Sequence, residues 1–219
     1  MVKKAKIDAP KLPRDLDSVD FRAIYDEDEP ELSACTVTGA QASDIEIEKI
    51  ICSKVVVKNS SFTHARLERA DLMDVVFENC DLSNVLFHKG IFHRVAFKDC
   101  KLTGADFSEA HLSHVTFEQC VAPLSDFVDA QLKHTAFRES SLKGANFWGS
   151  AFQHVFFEKS DLDDVQFKQM SLKGIDIRTC TFDQLHVELE SLEGCVVSPE
   201  QAIGFAKLMG LNVKEQGQS

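Results

Sequence analysis

Residues 61–110 read SFTHARLERADLMDVVFENCDLSNVLFHKGIFHRVAFKDCKLTGADFSEA, and neither the helical period of 3.6 nor the strand period of 2 describes them. A step of five does. Phe62, Leu67, Leu72, Phe77, Leu82, Phe87, Phe92, Phe97, Leu102 and Phe107 share one register, which extends outward from Leu32 to Val197 without a slip of phase. Its weakest members, Ala42, Cys52 and Ala122, are still apolar. Fourteen of the 17 phenylalanines lie on it, and only Phe21, Phe156 and Phe205 do not. Two places earlier runs a mostly small register that includes Ala65, Ala70, Val75, Cys80, Val85, Gly90, Ala105 and Ala110. One bulky and one small inward position per five residues describe a coil whose walls turn sharply and whose interior fills layer on layer. The remaining three positions are expected to face water.

The units ADLMD (70–74), CDLSN (80–84), ADFSE (105–109), SDFVD (125–129), ANFWG (145–149) and SDLDD (160–164) resemble the pentapeptide-repeat family pattern. That resemblance implies an all-β solenoid, a right-handed quadrilateral parallel β-helix with four units, or twenty residues, per coil. Residues 32–197 hold 34 units, hence about eight coils, and the strand spacing of ~4.8 Å makes a rod of roughly 40 Å. Columns of residues twenty apart support this coil length. One outward column, Lys58, Glu78, Lys98, Glu118, Arg138, Glu158 and Arg178, alternates in sign throughout. An inward column, Phe77, Phe97, Phe117, Phe137 and Phe157, predicts stacked rings. Cys80, Cys100, Cys120 and Cys180 share a small inward column and read as buried small hydrophobes.

Both ends of a solenoid need closing. Residues 1–31, with three of the five prolines and the acidic run Asp26 to Glu29, read as an N-terminal arm or cap, and 32–197 as the β-helix. Ile45, Ile50 and Val55 are bulky at normally small positions, which predicts distorted first coils. In the last segment, 198–219, Ser198 as N-cap, Pro199 at the first helical position and Gln201 completing a capping box predict a helix over 199–209 stopped by Gly210. That helix is apolar nearly all round, so one face closes the solenoid and another is left to a second copy. Ile203, Phe205, Ala206, Leu208, Met209 and Leu211 are the expected homodimer interface.

A net charge of −11 argues against direct nucleic-acid binding, which needs a basic footprint. No apolar signal region follows MVKKAKIDAPKLPRDL and no run approaches membrane-spanning length, so a cytoplasmic chain is expected. Seven cysteines without a CxxC pair suggest neither a disulfide framework nor a zinc site. Gly104, Gly144, Gly174 and Gly194 stand where turns are needed, outside any phosphate-loop context. His114, His134 and His154 form an outward column that reads as a solvated polar ladder, with no carboxylate or thiol completing a metal set. No triad is tied to a pocket-forming insertion, so the chain reads as no enzyme, with no cofactor and no small-molecule substrate. Asp106, Glu109, Asp126 and Asp129 form a candidate acidic patch on consecutive coils, and Trp148 a candidate interface anchor.

The stretch FHRVAFKDCKLTGADF (92–107) and the ending LEGCVVSPEQAIGFAKLMGL (192–211) are similar to Qnr-type (MfpA-like) proteins of Gram-positive bacteria. The resemblance implies C-terminal homodimers whose acidic rods imitate the DNA segment bound by DNA gyrase or topoisomerase IV, with quinolone protection as a consequence. Residues 32–197 carry 24 acidic and 16 basic side chains, a net of −8. Duplex DNA of 40 Å carries roughly 23 charges, so mimicry here has to come from shape and from one acidic face. The alternative reading is a structural scaffold that assembles unrelated proteins through the apolar strip near Trp148.

Overall fold

In the computed structural model, which describes residues 6–25, 27 and 29–214, the chain winds as a right-handed quadrilateral parallel β-helix of about eight turns. The described part of the acidic run is Glu27 and Glu29; Asp26 and Asp28 lie outside the described residues. Strands β1 (Asp17–Ser18), β2 (Glu31–Ser33) and β3 (Cys35–Thr38) lead into six strands of eight residues. These are β4 (Ile51–Lys58), β5 (Asp71–Glu78), β6 (Ile91–Lys98), β7 (His111–Glu118), β8 (Gln131–Arg138) and β9 (Ala151–Glu158). β1, β3 and then β4 to β9 pair in chain order, all parallel; β1 meets β3 at an offset of eighteen residues, Asp17 with Cys35, and from β3 onward partners lie twenty apart, as in Ile51 with Asp71 and Phe117 with Phe137. The predicted distortion of the first coils does not disturb this register: Glu31 pairs with Ile51 and Thr36 with Val56. Val55 is fully buried at its small position.

The coil turns because of a third position that recurs every five residues, two after the bulky one. From Lys49 to Gln169 every residue on it has positive φ, 25 consecutive corners within a run that extends from Ala34 to Gly174. Such a conformation is disfavoured for L-residues, least so for Gly, Asn, Asp and His, and most for β-branched side chains. No Val, Ile or Thr occupies any of the 25 corners, and Gly104, Gly144 and Gly149 stand among them. Each eight-residue strand bends at such a corner, at Lys54, Asp74, Arg94, His114, His134 or His154.

Inside, Phe77, Phe97, Phe117, Phe137 and Phe157 stack at centroid spacings of 4.7–5.2 Å with nearly parallel planes. A second ladder, Phe87, Phe107, Phe127, Phe147 and Phe167, runs beside it and meets it edge to face, as between Phe107 and Phe117 at 5.8 Å. Each such ring pair adds roughly 0.5–1.5 kcal/mol to the burial of its area. Beside them runs a column of buried Cys and Ser. Cys80, Cys100 and Cys120 direct Sγ, and Ser140 and Ser160 direct Oγ, to the carbonyl 23 residues back, at 3.2–3.6 Å. The thiols thus do the work of hydroxyls between coils, and burial pushes Cys52 and Cys180 up from the ordinary thiol range.

The outward charge column forms pairs at Lys58–Glu78 (3.0 Å) and on both sides of Arg138, which bonds Glu118 at 3.0 Å and Glu158 at 3.1 Å. Its last member departs from expectation, because Arg178 turns to Asp176 on its own coil at 2.7 Å. Regularity ends there. Met170 occupies a normally small inward position, and Thr179 is the first β-branched residue after Gln169 on the corner register and has no positive φ. The last coil keeps the short pair β10 (Val165–Phe167) and β11 (Leu185–Val187) and single bridges at Asp161–Thr181 and Asp176–Val196, with a 3-10 turn at Glu190–Leu192.

The described part of the first thirty residues does two jobs. At the open end Phe21 and Ile24 are buried in a 3-10 turn, and Phe21 meets Phe62 edge-on at 5.0 Å. Before that, the arm lies along the outside of the rod: the Asp8 N–H donates to His114 Nδ1 at 3.0 Å and the Lys11 N–H to Asp74 Oδ1 at 2.8 Å. Three extended residues span ~10 Å, which matches two coils at ~4.8 Å. Not all outward positions face water, therefore. Val56 and Ala96 are buried, and Ile7, Ala9, Pro10 and Leu12 share a groove of about 290 Å³ with Val76, Ala96 and Thr116.

Candidate partner-binding surface

Asp106, Asp126 and Asn146 stand one above another in bridged register. Each turns its side chain back on its own corner: Asp106 accepts from the Ser108 N–H at 2.7 Å, Asp126 from Val128 at 2.9 Å and Asn146 from Trp148 at 3.1 Å. These bonds satisfy turn amides, so part of what the column does is structural work. Burial, followed by the charge of Asp106, pushes Asp126 above the usual carboxylate range, against the pull of the Val128 N–H. Glu109 is offset by Lys89 at 3.4 Å and lies 3.7 Å from His88. Asp129 is exposed at its corner, and its Oδ1 occupies the space that a Cβ on Gly149 would need. Trp148 is 41% exposed, and Leu124, at a corner, 69%. The structure thus stacks Asp106 on Asp126, while the pairing of Glu109 weakens its share of the patch.

The stronger acidic surface lies nearer the C-terminus, where sequence reasoning did not look. Residues 160–197 carry 8 acidic against 3 basic side chains, a net of −5, whereas 32–159 carry 16 against 13, a net of −3. Counting charge coil by coil would have found it. Asp183, Glu188, Glu190 and Glu193 are exposed there. Asp163 is a structural member: the Lys143 ammonium at 2.8 Å, then the N–H groups of Gln184 and Asp183, hold its carboxyl at about 2.

Beyond these acids stands helix α1 (Pro199–Leu208), with the reciprocal cap that its sequence predicts. The Gln201 N–H donates to Ser198 Oγ at 3.2 Å, and the Ser198 N–H to Gln201 Oε1 at 2.9 Å. Gln201 Nε2 also donates to the carbonyls of Ile177 and Cys180, tying the helix to the last coil. Gly210 has positive φ, as a helix stop requires. Phe205 packs against Phe182 at 5.7 Å and is half-buried, as is Ala206, whereas Ile203, Met209 and Leu211 are about half exposed or more. The Leu208 side chain and residues 215–219 lie outside the described residues.

The rings of His114, His134 and His154 stack at 4.7 and 4.8 Å, and His93 meets His114 edge-on at 5.9 Å. The ladder is therefore no simple solvated one, since the arm sits against it. Among the described residues no three His, Cys, Asp or Glu side chains are grouped to hold a metal ion, and no helix is long and apolar enough to cross a membrane.

Comparison with known proteins returns family models for "Pentapeptide repeat region" over residues 70–147 and for "Pentapeptide repeats (8 copies)" over 50–88 and 140–178. No curated protein matches the chain. Among solved structures, a trypsin-treated form of QnrB1, a plasmid-mediated fluoroquinolone resistance protein, is 18% identical, covering 82% of this chain and 100% of its own, with a TM-score of 0.48. HetL, involved in heterocyst differentiation regulation in the cyanobacterium Nostoc sp. strain PCC 7120, is 17% identical over 77% of this chain and 90% of its own, with a TM-score of 0.46. Rfr23 of the cyanobacterium Cyanothece 51142 is 12% identical over 74% of this chain and 91% of its own, with a TM-score of 0.21. With models that together span residues 50–178, and with a bulky, a small and a corner position recurring through the regular coils, the chain belongs to the pentapeptide-repeat family.

Proposed function

We propose that this protein is a non-enzymatic, cytoplasmic DNA mimic that binds a type II topoisomerase, DNA gyrase or topoisomerase IV, and thereby modulates the enzyme's response to quinolones. The observation that carries the reading is a rod of stacked coils, its repeat phase unbroken, whose negative charge gathers on its last coils beside a helix with an exposed apolar face. Two copies joined through Ile203, Met209 and Leu211 place their acidic coils side by side at the centre of a longer rod. That doubles the local charge where a basic DNA-binding saddle is most electropositive. Asp106, Asp126 and Asp129 extend the acidic face outward, and Trp148 supplies a rim contact.

The test is gyrase supercoiling and quinolone-stabilised cleavage with added protein across a salt series. Inhibition or protection that fades with rising salt is expected, since the attraction is between exposed charges. Absence of any effect on either reaction at tens of micromolar removes the proposal. The variant carrying Asp183→Lys, Glu190→Lys and Glu193→Lys should lose more of the effect than the one carrying Asp106→Lys and Asp126→Lys. Light scattering that finds a monomer at micromolar concentration removes the dimer. A pull-down that recovers a specific partner other than a topoisomerase supports a scaffold instead.

A further inference from the structure

The contact between the N-terminal arm and the histidine column joins a backbone N–H to an imidazole. His114 Nδ1 accepts the Asp8 N–H, so this nitrogen carries no proton while the arm is seated. One coil further on, His134 Nδ1 is buried without a hydrogen-bond partner among the described residues. Beneath the arm lies the largely apolar column Val76, Ala96 and Thr116, at a place that in most five-residue units is charged or polar. Two polar bonds therefore hold a strip of chain over an apolar face, and one of them ends on an imidazole.

We propose that residues 6–12 form a proton-released latch: seated while His114 is neutral, and freed from the rod, baring the apolar column, when His114 takes up a proton. Protonation puts an N–H on Nδ1, facing the Asp8 N–H, so two donors meet and the bond is lost. The surrounding charges act in both directions. On the arm, the Asp8 carboxylate favours the imidazolium, while Lys6, 3.9 Å from Asp8, offsets part of that charge. Lys11 faces the neighbouring Asp74, which is bound by Arg94. On β6, His93 and Arg94, and on β8, Lys133, disfavour the imidazolium. His134 stacks on His114 at 4.7 Å and carries His154 on its other side. Lys98, Glu118 and Arg138 line the groove, with Glu118 and Arg138 paired to each other.

The balance favours the neutral ring. Burial first of all holds His114 below the ordinary histidine value of about 6.5, and the positive neighbours add to this against Asp8. The sign follows from linkage: the seated state binds the proton less well than the released one. Latch stability is therefore full above about 6.5 and lost as pH falls toward the seated-state value.

Hydrogen exchange of the whole chain, read as protection of the segment 6–12 relative to its intrinsic rate, tests this at about pH 7.5 and about pH 5.5. Protection of the arm should fall severalfold, by at most about tenfold per pH unit, while peptides from 91–118 stay unchanged. His114→Asn keeps an acceptor near the place of Nδ1, tolerates the positive φ of this corner and cannot be protonated, so its arm should stay protected at both values. A second measurement removes dependence on that variant. The midpoint of arm release must coincide with the titration of His114 followed by NMR, and both must lie below about 6.5. An arm equally protected at both pH values, a release midpoint distant from the His114 titration, or a His114→Asn arm that opens with acid as the wild type does would each overturn the latch.

Discussion

The coils between Lys49 and Gln169 and the coil beyond Met170 are written in the same five-residue unit, yet they fold with different regularity. In the middle of the rod all 25 corners have positive φ and two phenylalanine ladders run without a gap. In the last coil the bulky register persists through Leu172, Ile177 and Phe182, but the strands shrink to three residues and Phe182 is only half-buried. The difference lies in the lesser positions. Met170 crowds a site that wants a small side chain, and Thr179 brings a β-branch to a site that wants αL. A bulky residue every fifth place makes a core, therefore, but a small residue and a corner residue on the same period make the coil. Where these fail, the surface changes too, and it is there that exposed acids and the helix gather.

Substitutions that touch the two regions in the same way should separate them. Removing a ring from the middle of a ladder leaves a cavity that neighbours stacked above and below cannot fill, so Phe117→Ala should cost about 3–5 kcal/mol in denaturant unfolding. Phe182→Ala, at a half-buried site, should cost about 1–2 kcal/mol. Equal losses would mean that the last coil is as tightly packed as the middle.

The corner rule is tested by one replacement at two places. Gln119→Val forces a β-branched side chain into a φ of 53° and should cost about 1–2 kcal/mol. Thr179→Val meets no such backbone and gives up an exposed bond from the Lys159 N–H and a hydroxyl contact with Cys180, so about 0.5 kcal/mol is expected. A reversal of that order in thermal melts would discard the corner argument.

The smallest effect sharpens the account of the last coil. With its carboxyl held at about 2 by Lys143 and two amides, Asp163 favours the folded last coil above the usual carboxylate value. That contribution disappears as pH falls from about 4 through about 2, because a depressed carboxylate must gain a proton that the unfolded chain takes up earlier. Amide protection at Asp183 and Gln184 should decline over this window in the wild type and show no such step in Asp163→Asn.

Much of this was legible in the residues themselves. The inward register, the twenty-residue columns, the stacked Phe77 to Phe157 ladder and the Ser198–Gln201 capping box all repeat, or are strictly local, and such patterns can be read along a chain. The absence of β-branched residues from the 25 corners between Lys49 and Gln169 was equally visible, as was the acidity of 160–197, although neither is a motif. Asp106 and Asp126 were placed together by the coil length, but their bonds to Ser108 and Val128 were not, because a carboxylate one residue before a turn may look outward or back.

From its letters alone this chain determined where the interior lies and which residues stack twenty apart, because each repeated choice of side-chain size agrees with the next. Only the tertiary structure decided what happens once. The arm reaches His114 across 106 residues and Asp74 across 63, contacts that no period announces. Arg178 takes Asp176 in place of continuing its ladder, since exposed ion pairs differ by well under about 1 kcal/mol and local geometry tips the choice. Repetition is written in sequence; a single long-range contact depends on shapes that exist only after the coils have stacked.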